Sequence, residues 1–217
     1  MQALQLKFAN DPTAPGSFTG LASTYAPDRQ GDVVAPGAFD ATLAEWATRG
    51  YGIPLLWNHD QAQPIGAIST ATAAADGLRV GGRILTTTPA GGHAHALAVE
   101  GALSMSIGYT VPAGGEKMVN GVRHLFAIDL HEISLVAVPA NPDARLTSIK
   151  SAADCSTIRE FEHLVRDALG LSSRDAKHLA AKGWPVLRRD GVTQRRDDAL
   201  PSTVTAVREI LRLSQSK

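Results

Sequence analysis

The chain has 217 residues, 44% of them hydrophobic, which is enough to bury a sizeable core and fits one domain with an appendage better than two full domains. Its formal net charge is zero, so bulk charge supplies no reason to expect a nucleic-acid or anionic-membrane partner. The one cysteine, Cys155, excludes an intrachain disulfide and suits a reducing cytoplasm.

The N-terminal residues Met1 to Phe8 alternate and hold no long apolar run, so they do not read as a signal peptide. No stretch approaches the ~18–20 apolar residues of a membrane span. Residues 3–8 and 17–25 read as strands, the first on Leu4, Leu6 and Phe8, the second on Phe18, Leu21 and Tyr25. A Gly31-Asp32 turn follows. Pro36-Gly37 then opens a helix through Arg49, with Phe39, Leu43 and Trp46 at helical spacing and Gly50 as its stop. The run 53–57 is a short buried strand with Asn58-His59-Asp60 at its exit. Segments 65–72 and 78–85 form a hairpin around Asp76-Gly77, and 90–101 a second helix. Strands over 103–111 and 124–138 are joined by a glycine-rich turn at 114–121. Many short strands with two inserted helices predict a mostly antiparallel β-barrel or sandwich.

Beyond Pro139-Ala140-Asn141-Pro142 the character changes. Charged residues number 21 in the first 150 positions and 21 in the remaining 67, which puts a boundary near residue 150. Residues 156–169 carry an apolar helical stripe of Ile158, Phe161, Leu164, Val165 and Leu169. Gly170 stops that helix, and Ser172, with Asp175 three residues on, caps another running to about Lys182. A polar stretch 188–198 and a last helix over 201–213 complete the chain.

Three stretches could carry chemistry. His59, at the end of an apolar strand, can reach a cleft from a rigid backbone, as a general base requires. In 103–109, alternation puts Ser104, Ser106 and Gly108 on one face and Leu103, Met105 and Ile107 on the other. A serine needs a base to become nucleophilic, and His59 would supply it. In 128–138, one face carries Ile128, Leu130, Glu132, Ser134, Val136 and Val138, and a carboxylate in an apolar row must be paired. A histidine ring would pair it. His131 points the other way. Taken singly, His59 reads more simply as a satisfied histidine and the two serines as a solvent-facing strand side. Cys155 has no basic neighbour to activate it and reads as incidental. His93 and His95 lack a third ligand at metal-site spacing, so neither metal nor cofactor is expected.

Four blocks stand out: Gly31 through Phe39, Trp57-Asn58-His59-Asp60 with Pro64-Ile65-Gly66, Ser106-Ile107-Gly108-Tyr109, and Glu132 through Val136 with Pro139-Ala140-Asn141-Pro142. Together they resemble the prohead protease family of tailed phages. The resemblance covers roughly residues 3–150. It implies a herpesvirus-assemblin-like antiparallel β-barrel over 1–150, followed by a charged, mainly helical extension over 151–217 for scaffold contact or removal. It implies a serine endopeptidase that cleaves the scaffold or delta region of the major capsid protein, and itself, inside the prohead in the host cytoplasm. His59 matches the catalytic histidine, Ser106 the nucleophile and Glu132 the third member. Herpesvirus relatives use a second histidine there, which keeps His131 as an alternative. A homo-oligomer is expected, with no need for nucleic acid or membrane. The rival reading is a non-catalytic assembly protein that retains the fold.

Overall fold

A computed structural model describes residues 3–5, 14–150 and 157–189. The chain divides into two compact units, one of residues 1–12 and 16–149, the other of 13–15 and 150–217.

The first unit contains β1 (Ala3–Gln5), β2 (Ser17–Thr24), β3 (Asp32–Val34), α1 (Asp40–Arg49), β4 (Ile53–Trp57), β5 (Asp60–Ala74), β6 (Gly77–Ile84) and α2 (Pro89–Val99). It continues with β7 (Ser104–Thr110), β8 (Glu116–Val119), β9 (Val122–Leu125), β10 (Asp129–Val136) and β11 (Arg145–Ile149). Strands pair in the order β5-β4-β10-β7-β11-β2-β6, and β6 pairs back to β5, closing a seven-stranded barrel. β1 adds to the outer flank of β5. The barrel is antiparallel at every seam but one: β10 runs parallel to β4. Closure removes the free edges of an open sheet. Leu55, Ile65, Ile68, Met105, Ile133 and Leu135 are fully buried in the core.

Helix α1 begins at Asp40 rather than at Pro36, because Gly37 takes φ 91° and 36–39 form a turn. Gly50 ends it in the left-handed conformation. Burying Phe39 and Leu43 contributes about 1.5–3 kcal/mol each. The helix also holds β10 by its backbone. Leu130 N–H donates to Thr42 Oγ1 (3.0 Å), and Trp46 Nε1 donates to Leu130 O (2.8 Å). Immediately beyond Leu130 the ladder slips: Leu130 faces Tyr109, Glu132 faces Gly108, and His131 is an extra residue in a β-bulge.

That bulge corrects the predicted faces of 128–138. Leu130 joins Ile133 and Leu135 in the core, while Glu132 shares its face with Ser134. The predicted strand 124–138 is therefore two, β9 and β10. The glycine-rich turn is itself a hairpin, β8–β9, whose tip Asn120-Gly121 has φ 52° and 81°. Strand β11 was not anticipated; its Arg145-Leu146-Thr147-Ser148-Ile149 lacks an uninterrupted apolar alternation.

In the second unit, α3 (Ile158–Leu169) starts with a Thr157/Glu160 capping box and ends at left-handed Gly170. Ser172 Oγ accepts from Asp175 N–H (3.2 Å) at the start of α4 (Ser173–Arg189). Phe161, Leu164, Val165, Ala176 and Ala180 form a separate apolar cluster. α4 continues past Lys182 through Pro185, since Trp184 packs on Phe161 at 5.8 Å and extends the buried stripe. The N-terminal strand's residues 6–8, Cys155 and the segment 190–217 lie outside the described residues.

Candidate active site

Three adjacent barrel strands, β7, β10 and β4, converge on one face. Ser106 on β7 lies directly opposite Ser134 on β10, which in turn pairs with Leu56 on β4. Strand β5 begins at Asp60, five residues earlier than expected, so Trp57 pairs with Asp60 and Asn58-His59 become a two-residue hairpin tip. Both residues have positive φ, 51° and 61°, as a type I′ turn requires. Without glycine's freedom this conformation costs roughly 1–2 kcal/mol, though Asn and His enter it more readily than most side chains. Two bonds to β10 hold the turn: Asn58 N–H donates to Leu135 O (3.1 Å), and His59 N–H donates to Ser134 Oγ (3.0 Å).

From this turn the imidazole spans two groups. Nδ1 lies 2.6 Å from Glu132 Oε1, and Nε2 lies 2.9 Å from Ser106 Oγ. Glu132 is 7% exposed and Ser106 8%, whereas the imidazole stands open to solvent on one side. The hydrogen bond to Glu132, helped by that carboxylate's charge, holds the His59 pKa above its ordinary value, against the opposing effect of partial burial. The second carboxylate oxygen, Oε2, accepts from Ser134 Oγ at 2.7 Å. Gly108, opposite Glu132, leaves the room that the carboxylate fills.

The structure thus brings His59, Ser106 and Glu132 together from positions 47 and 73 residues apart. His131, on the bulge, points away and instead contacts Thr110 Oγ1 through Nε2 at 3.0 Å. Ser104 pairs with Val136 two residues along the strand from Ser106. His93 packs edge-on to Trp57 at 5.7 Å. Ser134 is the site residue that sequence reasoning missed. Its signal was present as a polar residue two positions beyond Glu132, on the same strand face.

A cavity of about 160 Å³ adjoins Ser106 and His59, with Thr24, Asp28, Tyr109 and Asn141 in its wall. It meets a broader depression of about 760 Å³ along Ile107–Pro112, bounded by Glu116 and Arg123. Arg123 is held by Asp32 (2.7 Å) and by Glu116, so the rim charges are largely paired. The strand that carries Ser106 is therefore flanked by a trough along its Ile107–Thr110 half.

A base bonded on one side to a hydroxyl and on the other to a buried carboxylate is the arrangement that activates a serine. The family model described as Caudovirus prohead serine protease matches residues 5–160. The prohead protease of Enterobacteria phage HK97 is 30% identical over 195 residues, covering 86% of this chain and 83% of that protein. A capsid polyprotein of Pseudomonas phage PAJU2 is 29% identical over 178 residues, covering 79% of this chain but 24% of the polyprotein. Among solved structures, KSHV protease with a hexapeptide phosphonate inhibitor aligns at 14% identity and TM-score 0.43, over 73% of this chain and 78% of that one. Varicella-zoster virus protease aligns at 14% identity and TM-score 0.39, over 91% and 86%.

Proposed function

This chain belongs to the Caudovirus prohead serine protease family, and from that premise we propose that it is an active endopeptidase whose nucleophile is Ser106. The observation that carries the reading is the double contact of His59, 2.9 Å to Ser106 and 2.6 Å to Glu132. In this mechanism His59 removes the Ser106 proton as Oγ attacks a peptide carbonyl. Glu132 orients the ring and stabilises the imidazolium that forms. His59 then protonates the leaving amine, and water releases the acyl-enzyme by the reverse proton path.

The proposed substrate is the scaffold or delta region of the major capsid protein, together with the protease itself, inside the assembling prohead in the host cytoplasm. The similar segment within a phage capsid polyprotein supports a substrate among capsid subunits. The trough along β7 suits an extended peptide segment. We propose that 1–150 is the catalytic domain, that 151–217 serves scaffold contact or is removed, and that the enzyme works as a homo-oligomer without nucleic acid or membrane.

The test is incubation of the purified chain with its capsid subunit, read by intact mass. Defined fragments from the wild type, and none from Ser106→Ala, are expected. An intact capsid subunit with both proteins would favour the non-catalytic assembly role.

A further inference from the structure

We infer that Ser134 is a positioning residue that sets the proton direction through the whole His59 site; this rests on the reading of Ser106 as nucleophile. The argument starts from a group that has no choice. The backbone N–H of His59 can only donate, and it donates to Ser134 Oγ at 3.0 Å. A serine hydroxyl has one proton, and that of Ser134 is therefore directed at its other neighbour, Glu132 Oε2, at 2.7 Å. Ser134 has no solvent exposure, so water offers no alternative.

Oε2 must then be an acceptor, and the remaining proton of the pair lies between Oε1 and His59 Nδ1. Glu132 acts on the ring as a charged acceptor, by hydrogen bond and by charge, and an ionised carboxylate has no proton to give, so this proton resides on nitrogen. Neutral His59 is then the Nδ1–H tautomer. Its Nε2 lone pair faces Ser106 Oγ at 2.9 Å, ready to take the hydroxyl proton. Every link points one way: backbone amide to Ser134, Ser134 to Glu132, Glu132 holding Nδ1–H, Nε2 accepting from Ser106.

The same hydroxyl has a mechanical task. It clamps the His59 amide of a turn whose two tip residues are both left-handed. It also holds the second oxygen of the carboxylate that the ring leans on. One buried group thereby fixes the base's backbone and the rotamer of its partner.

The experiment compares the wild type with Ser134→Ala and Ser134→Thr in the full chain. Covalent labelling of Ser106 by a fluorophosphonate is followed against pH, and the His59 ring nitrogens are read by ¹⁵N NMR, assigned with His59→Gln. In the wild type above the His59 pKa, Nδ1 is expected to be protonated and Nε2 bare. Ser134→Ala should slow labelling by about 10–100-fold, the range for partners one step behind a functional histidine. Its acid limb should move to lower pH, because the loosened carboxylate no longer holds the imidazole's proton as tightly. Peptide KM should stay near the wild-type value. Ser134→Thr, which keeps the hydroxyl, should recover most of the rate. An Nε2–H tautomer in the wild type would overturn the inference whatever the variants do. So would wild-type labelling and an unchanged acid limb in Ser134→Ala. A wild type that is not labelled at Ser106 would instead remove the nucleophile assignment, and the shift of the His59 titration in Ser134→Ala, read by ¹⁵N NMR, would still judge Ser134.

Discussion

Gly108 and Glu132 face each other across β7 and β10, and a Cβ at position 108 would lie 2.0 Å from Glu132 Oε1, the oxygen that holds His59. Gly108 is not among the positive-φ glycines, so its backbone would accept alanine. Only the carboxylate would have to move. Gly108→Ala is therefore expected to fold normally by circular dichroism but to lose about 10²-fold in kcat, the scale of a misplacement of about 1 Å. Wild-type turnover in that variant would show that Glu132 need not sit where the structure puts it.

Ser106→Ala should abolish proteolysis, while Ser104→Ala should leave most of it. Ser106 Oγ is the hydroxyl at 2.9 Å from His59 Nε2. Ser104 is two residues along the strand, which moves its side chain by roughly 6–7 Å. Cleavage of a capsid-derived peptide by each variant decides the matter. A dead Ser104→Ala beside an active Ser106→Ala would reverse the assignment.

Glu132→Gln should retain the fold and lower kcat/KM by about 10²–10⁴, since an orienting acid leaves residual activity when neutralised. The pH dependence carries a second signature. Glu132 raises the His59 pKa, chiefly by the hydrogen bond and further by charge. The imidazole must be neutral to act as base, so wild-type kcat/KM should rise with pH through a value above about 6.5. In the Gln variant this limb should shift downward. The linked stability has the opposite sense. A pKa raised on folding adds stability below about pH 6.5 that is lost as pH climbs through the folded-state value. An acid limb unmoved by Glu132→Gln would remove Glu132 from the site's electrostatics and turn attention to His131.

A chain ending at Lys150 should remain soluble and cleave a short peptide, yet enter proheads poorly. The barrel core is built from residues between Phe18 and Ala144, so a chain ending at Lys150 retains every one of them. Limited proteolysis with mass readout checks the companion expectation of cutting within 150–157. Insolubility of the shortened chain, together with protection of that segment, would make the helices part of the protease fold.

Much was legible from local pattern, because local pattern is where the physics is local. Gly50 and Gly170 mark helix ends since a left-handed residue favours glycine, and Phe39, Leu43 and Trp46 mark a buried helical face through their spacing. The alternation of 103–109 separates Met105, in the core, from Ser106, beside His59. His59, Ser106 and Glu132 could be nominated because each motif places a polar group at the end or on one face of an apolar strand. What no local pattern contains is the pairing of distant strands. The slip at His131 follows directly on Leu130, whose backbone is held by Thr42 and Trp46, more than eighty residues earlier. That slip decides that Glu132 faces the site and His131 does not. The left-handed turn at Asn58-His59 uses residue types that tolerate positive φ, but its place is set by the pairing of β4 with β5 and by bonds to β10. The sequence by itself determined which groups could react; the closed barrel, through strand register and hydrogen bonds between remote segments, decided which of them meet.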